Sequence, residues 1–411
     1  LPLRTFWLDF NLAFRNIARQ RRRSAIAVGA VGFGITALIL ANGFIEWIFL
    51  DFRESTIKSQ LGHLQIVRPG YHGAGKADPY AFLLPDVIPE LETPNEPRQI
   101  KAVAPRLSFS GLVSYGESTI SFIGDGDDPR QQEAFGDALQ ISEGRNLAAD
   151  DLLGIIVGEG LARNLGANVG DRVVLLASTA SRGINAVEVT IRGLFSTVTK
   201  SYDDSALRMP IETARQLLRT QGSHVGIVLL NDTAQTDIVL AELREKLQKD
   251  NFEIVPWYDL ADFYNKTVAL YTRQINGVRL IIAVIILLSI SNTMMMSVME
   301  RIGEIGTYMA LGARRTGVMR RFLSEGVLLG CLGGLLGLLL GLILAYAISS
   351  VGIPMPPPPG MARGYTGQIL VTWDIALKSL TLAVGTTLAA SVYPAWRASR
   401  MQIVDALRHN R

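Results

Sequence analysis

Three constellations in this 411-residue chain have residue types and spacings that could do chemistry. Gly70, Gly75 and Lys76 stand in the G-x-x-x-x-G-K pattern of a loop whose backbone amides cradle phosphate. The next residue is Ala77, so the hydroxyl that would hold magnesium is missing, and Asp78-Pro79 interrupts the helix whose N-terminus would face the phosphates. Nucleotide binding is not expected there. Asp125, Asp127 and Asp128 begin like a calcium loop, but Pro129 follows and no glutamate occupies the closing position, so an ordinary turn is expected. His63, His72, His224 and His409 are scattered, and neither H-E-x-x-H nor G-x-S-x-G occurs. The one cysteine, Cys331, lies in an apolar run and excludes both an intrachain disulfide and a cysteine-based metal site. No catalytic residue, metal site or cofactor is therefore expected on this chain.

The elements that dominate the sequence are apolar. Hydrophobic residues make up 48% of the chain and charged ones 19%, with mean hydropathy +0.25, so part of it spans lipid and part does not. The net charge of +3 is small and the arginines flank apolar runs rather than alternating with aromatics, which argues against nucleic-acid binding. Four runs, 24–50, 274–299, 323–348 and 373–393, are long enough to cross a hydrocarbon core of roughly 30 Å. Residues 300–322, ERIGEIGTYMALGARRTGVMRRF, lie between the second and third runs, and their arginines place that loop in the cytoplasm. Residues 1–23 carry Phe6, Phe10, Phe14 and Ile17 at helical spacing and end in Arg19, Arg21, Arg22 and Arg23, which predicts a surface-lying amphipathic helix. Arg397, Arg400, Arg408 and Arg411 place the tail, 394–411, on the same side.

Residues 51–273 are polar enough to fold in water and, on this orientation, lie outside the cytoplasm. Strands are expected at Leu64 to Val67, Thr119 to Ile123, Ile155 to Val157, Arg172 to Ala177, Val187 to Arg192 and Val225 to Leu230. Helices are expected over Ile211 to Arg219 and Ile238 to Leu247, and the mixture reads as α+β in two subdomains. The fold class is thus a membrane protein with four transmembrane helices and an α+β extracytoplasmic domain inserted between the first two. Ser289, Ser291, Asn292, Thr293 and Ser297 in the second span call for helix-to-helix hydrogen bonds. Gly330, Gly333, Gly334, Gly337 and Gly341 in the third predict close packing on another span. Pro354 and Pro356 to Pro359 make 349–372 a stiff, extended outer loop.

Asn292-Thr293-Met294, Ser297-Val298-Met299-Glu300-Arg301, Glu304-Ile305-Gly306, Ala310-Leu311-Gly312-Ala313 and the closing Tyr393-Pro394-Ala395 together resemble the ABC-transporter permeases that include the macrolide exporter MacB, the FtsX proteins and the lipoprotein-releasing permeases LolC and LolE. Ala41-Asn42-Gly43-Phe44 followed by Leu61-Gly62-His63-Leu64-Gln65-Ile66 looks most like the lipoprotein-releasing branch. The resemblance covers the whole topology. It implies a MacB-like periplasmic core domain, a bacterial inner-membrane location and a mechanotransmission role. A cytoplasmic ABC ATPase, in two copies, would hold the ATP and magnesium, and a second permease copy or paralogue would complete the membrane unit.

By the same resemblance, Glu300, Arg301, Ile302, Glu304, Ile305, Gly306, Met309, Ala310, Leu311, Gly312 and Ala313 form the segment that couples to the ATPase. Independently, Ile302, Ile305, Met309 and Leu311 offer an apolar surface for docking a soluble partner. Phe44, Ile45, Ile48 and Phe49 on the first span would meet Ile275, Val278 and Ile282 on the second, as a stalk that takes substrate or packs the dimer. The implied partner outside the membrane is a lipoprotein or other lipid-like envelope cargo, or a periplasmic adaptor. The alternatives are FtsX-like control of a cell-wall hydrolase or sensor kinase, and MacB-like export of a drug or peptide.

Overall fold

The computed structural model describes residues 13–16, 19, 21–75, 78–85, 99–129, 139–197, 199–247, 251–356 and 364–402. Most of the expected N-terminal helix, Lys76 and Ala77, Pro357 to Pro359 and the last arginines lie outside them. The chain forms two compact units. One comprises Leu1–Phe49, Val268–Ile353 and Thr366–Arg411, the other Leu50–Thr267 and Pro354–Tyr365.

The first unit is built on four long helices, α1 (Arg21–Thr56), α5 (Asp262–Glu300), α7 (Arg315–Val351) and α8 (Trp373–Ser399), each with an apolar stretch able to cross a membrane. All are longer than the apolar runs in them, because intrahelical hydrogen bonding continues into polar flanks where water is available. The short helix α6 (Ile302–Ala310) lies between α5 and α7. The glycines of α7 divide into two stripes. A Cβ on Gly326 or Gly330 would fall 1.9 Å from Ser391 Oγ or 2.2 Å from Thr387 Oγ1 on α8. On Gly333 or Gly337 it would fall 2.6 Å from Val31 Cβ or Gly32 O on α1. The small residues therefore let α7 pack closely on two helices rather than one.

Hydrogen bonding between spans comes from other residues than expected. Thr293 returns its hydroxyl to Ser289 O of its own helix at 2.9 Å. Across helices, Thr36 Oγ1 donates to Gly337 O at 3.1 Å and Arg279 Nη2 to Asn42 Oδ1 at 2.8 Å. Helix α8 continues through Pro394 to Ser399.

The second unit is α/β. Its strands are β1 (Leu64–Val67), β2 (Ile100–Tyr115), β3 (Ser118–Asp127), β4 (Gln140–Gly144), β5 (Gly154–Gly158), β6 (Arg172–Ser178), β7 (Ile184–Ser196), β8 (Ala206–Pro210), β9 (Val225–Leu230) and β10 (Glu253–Pro256). They form a single continuous sheet. Pairing runs β2–β3–β8–β5–β7–β6 and back to β2, closing a barrel. Helices α2 (Glu159–Leu165) and α3 (Ile211–Leu218) contribute Leu161, Leu165, Leu217 and Leu218 to its core. The early part of β2 pairs instead with β9, which carries β1 and β10 outward. That extension has its own core, where Val239, Leu240 and Leu243 of α4 (Thr236–Lys246) cover Leu64, Ile66 and Val228.

Candidate functional site

Helix α6 starts directly after α5, with Arg301 as the joining residue, and ends in a turn at Gly312. Gly312 has φ +93°, a conformation that L side chains resist, and its N–H reaches Met309 O at 3.0 Å. Ile302, Ile305 and Met309 fall one turn apart and are buried at 9%, 7% and 8% exposure, with Gly306 beside them. Ile305 and Met309 belong to the same core as Val298, Val318 and Phe322. The docking role expected for Ile302, Ile305 and Met309 is corrected here: their apolar face is spent on this chain's own helices, and the free face is the opposite one. That face presents Glu304, Thr307 and Ala310, and finishes at Leu311, which is 83% exposed. Ala313 is half-buried.

The charged residues of the segment serve different ends. Glu300 pairs with Arg23 of α1, and exposed Glu304 lies 3.6 Å from exposed Arg19, a contact of small energetic worth. Arg301 turns inward to Glu325 of α7 at 3.5 Å, where both side chains are nearly buried. Arg321 stacks its guanidinium over Tyr308 at 4.0 Å from the ring centroid. Arg301, Glu304, Tyr308, Arg321 and Glu325 border a cavity of about 100 Å³ beneath α6. Sequence reading gave neither Glu325 nor Tyr308 a role in holding the segment; Glu325, a lone carboxylate in an apolar run, was the available signal.

The expected stalk residues are only partly brought together. Phe49 meets Tyr271 edge to face at 6.3 Å. Ile282, with Ile286, flanks Gly34, where a Cβ would lie 3.3 Å from Ile282 Cγ2. Phe44 packs instead on Gly367, in the segment before α8, and Ile48 is buried. Ile45 and Ile275 are half-buried, and Val278 is exposed. The polar contact that does join the two helices, Arg279 to Asn42, was not anticipated, although Arg279 is the one charge in its run. Asn42 also donates to Leu38 O at 2.9 Å.

The constellations that looked like chemistry are engaged structurally. The N–H of Gly70 donates to Glu253 Oε2 at 2.9 Å, so a carboxylate occupies the position a phosphate would need. Among the described residues after Gly70, the chain makes the one-turn helix Tyr71–Ala74 and then a short 3-10 helix at Pro79–Phe82. Asp125 and Asp127 lie not in a turn but in β3, both buried. Asp127 is held by Arg106 Nε at 2.6 Å and Arg208 Nη1 at 3.3 Å. Asp125 accepts from Ser108 Oγ at 2.7 Å and Tyr202 Oη at 2.8 Å. Burial opposes its charge, but Arg106, Arg208 and these two hydrogen bonds outweigh that and hold its carboxyl below the usual range. His63 is buried and pushed down to about 4, so its imidazole is neutral. Its Nδ1 accepts from Leu230 N at 3.1 Å, which leaves the proton on Nε2, 3.0 Å from Thr233 Oγ1.

Residues 24–246 match the MacB-like periplasmic core domain family, and residues 276–403 match the FtsX-like permease C-terminal family. The lipoprotein-releasing system transmembrane protein LolC of Neisseria meningitidis is 23% identical over 98% of this chain and 100% of its own length. The macrolide export ATP-binding/permease protein MacB of Syntrophobacter fumaroxidans is 26% identical over 57% of this chain, which spans only 32% of that protein. An uncharacterized ABC transporter permease of Methanocaldococcus jannaschii is 24% identical over 65% of this chain and 65% of its own length. Among solved structures, the periplasmic region of MacB from Actinobacillus actinomycetemcomitans is similar with a TM-score of 0.35 at 17% identity, covering 51% of this chain and 95% of that one.

Proposed function

Because this chain belongs to the family of the MacB-like periplasmic core domain, with an FtsX-like permease region after it, we propose that it transmits ATP-driven motion from a separate cytoplasmic ATPase to an extracytoplasmic α/β domain. In this reading the domain is inserted between the first two spans, both termini face the cytoplasm, and the membrane is a bacterial inner membrane. Two ATPase subunits, which hold the ATP and magnesium, engage a pair of permeases, identical or paralogous. The cargo is a lipoprotein or similar lipid-like envelope molecule, passed to an outer adaptor.

The observation that carries the proposal is the coupling segment. A short helix sits between two candidate spans, anchored by Ile302, Ile305, Met309 and the Arg301–Glu325 pair, and presents an exposed ridge ending at Leu311. A ridge fixed from behind and open in front suits a surface that must receive force, since its anchors carry a push into α5 and α7. The lipoprotein reading is supported by LolC, which is matched over its whole length, whereas MacB relatives that match 97% of this chain are matched over only 60% of their own.

Cargo recovery tests this. The nucleotide-free complex, purified with its ATPase, is expected to yield acylated protein by mass spectrometry and to lose it on adding ATP. A complex that instead retains a hydrolase or kinase, with no acylated protein, would replace the lipoprotein reading by the FtsX-like one. Release of a drug or peptide would replace it by the MacB-like one.

A further inference from the structure

The α/β unit contains a cavity of about 610 Å³ that the coupling reading leaves without a role. Volumes of roughly 300–1,000 Å³ are usual for pockets that take small organic ligands. One wall is a single face of the β2–β3 ladder. The register sets Arg106 opposite Asp127, Ser108 opposite Asp125 and Ser110 opposite Ile123, so the wall passes from an ion pair through a hydroxyl–carboxylate pair to an aliphatic side chain. Ile123 is a large apolar residue left 49% exposed in the middle of a paired strand. Leu61, Tyr71 and Val225 complete the apolar lining. Tyr71 is held in place by stacking on His224, with ring centroids 5.7 Å apart and planes 17° from parallel.

The charged end of the cavity is already balanced. Arg106 and Arg208 face Asp125 and Asp127, two cations against two anions, and each carboxylate is paired or hydrogen-bonded at 3.3 Å or less. Arg106 also donates to Gln60 O at 2.5 Å, and Arg208 to Ser59 O. A charged ligand group entering here would lose its hydration without finding an opposite charge to spare. A neutral hydroxyl or ester would instead meet Ser110, His72 and Gln60, side chains that border the cavity and can exchange hydrogen bonds with it.

From this geometry we infer that the cavity beside the β2–β3 ladder is a binding site for a neutral amphiphile of the acyl-ester class, its chain against Ile123, Leu61 and Tyr71 and its polar end toward Ser110 and Gln60. The inference stands on the α/β unit alone and does not depend on which cargo the transporter moves.

The test is photolabelling of the full chain in nanodiscs with a diazirine-bearing monoacylglycerol, compared with the fatty acid and the alkylamine of equal chain length. The neutral probe is expected to label peptides covering 106–125 at least tenfold more than either charged probe. Ile123→Trp, which fills the cavity from a half-exposed strand position, is expected to cut that labelling at least tenfold while labelling of the four apolar helices stays unchanged. If this variant unfolds, Ile123→Asn serves in its place and is expected to lower the labelling severalfold. Labelling confined to the apolar helices, equal labelling by the fatty acid, or labelling of 106–125 that survives substitution at Ile123 would each overturn the proposal.

Discussion

Replacing Leu311 by aspartate separates the outer ridge of α6 from its inner anchors. Leu311 is 83% exposed and follows the last turn of the helix, so the change alters neither the core nor a hydrogen-bonded side chain. Surface changes of this kind shift stability by no more than about 0.5 kcal/mol. If the ridge docks into an ATPase subunit, most of that leucine surface becomes buried in the complex. Fully burying a leucine is worth about 1.5–3 kcal/mol. At about 1.4 kcal/mol for each factor of ten, its loss weakens partner binding roughly 10- to 100-fold, before any cost of desolvating the new carboxylate.

The assay is titration of the ATPase subunit against the permease in nanodiscs, with thermal unfolding of the permease measured in parallel. Leu311→Asp is expected to raise Kd by that factor with unfolding unchanged. Ile305→Asp, which puts a carboxylate into the core shared with Val298 and Phe322, is expected to compromise the unit itself. The same logic reassigns Gly306, which is buried: Gly306→Trp disrupts local packing, so Glu304→Arg is the cleaner probe of docking. Binding of Leu311→Asp within twofold of the parent would refute the assignment of the ridge.

Four further outcomes follow from the same geometry. Reversing the buried pair through Arg301→Glu or Glu325→Arg is expected to abolish ATPase stimulation, and the double swap to restore a measurable part of it; failure of the swap together with normal single variants would dismiss the pair as a transmitting contact. Asp127→Ala leaves Arg106 and Arg208 without their shared carboxylate, which costs about 3–5 kcal/mol for a broken buried pair and lowers the melting temperature of the α/β transition by about 6–20 °C, as calorimetry would register. Gly337→Ala drives a methyl to 2.6 Å from Gly32 O and is expected to lower thermal stability in detergent, whereas Gly385→Ala, with nothing within 4 Å, is neutral. His63 and His224 are pushed by burial to about 4, so the stability they contribute is complete above about pH 6.5, their unfolded value, and is lost as pH falls toward 4; Asp203, pushed up by burial to about 6, works in the opposite sense between pH 6 and 3.8. Asp203→Asn should therefore steepen the acid loss of melting temperature.

Much of this arrangement was legible in the residues, and what was not has identifiable causes. Val225–Leu230 is a continuous apolar run and Leu64–Val67 is one broken only by Gln65, and both strands fall at the expected limits. Strand β2 was missed because Pro105 and Gly111 interrupt its pattern. Pro105 is tolerated because β2 pairs only with β9 there, opposite Gly226, before the β3 ladder begins at Arg106. Strand β8 was missed because its buried Arg208 makes a core strand look polar, and the carboxylate that neutralises it comes from β3. The glycine stripe of α7 announced close packing by spacing alone, but not that it served two neighbours. In α6, the spacing of Ile302, Ile305 and Met309 announces an apolar face without saying whose core it joins. Only the packing of Val298, Val318 and Phe322 answers that.

That answer bears on how a push at the ridge would travel. A helix docked through its apolar face would have to give up contact with its own chain to engage a partner, and the two demands would compete. Here they fall on opposite sides of the same nine residues. The inner side joins the end of α5 through Arg301, whose N–H bonds Val298 O at 3.2 Å, and joins α7 through Glu325 and the stack of Arg321 on Tyr308. Displacing the outer side therefore means moving both flanking helices or breaking a nearly buried ion pair, and the second costs several kcal/mol. Helix α7 is in turn held against α1 and α8 at glycines too closely packed to yield without loss of contact. A push at Leu311 would therefore pass to α5 through Arg301 and to α7 through Glu325 and the Arg321–Tyr308 stack.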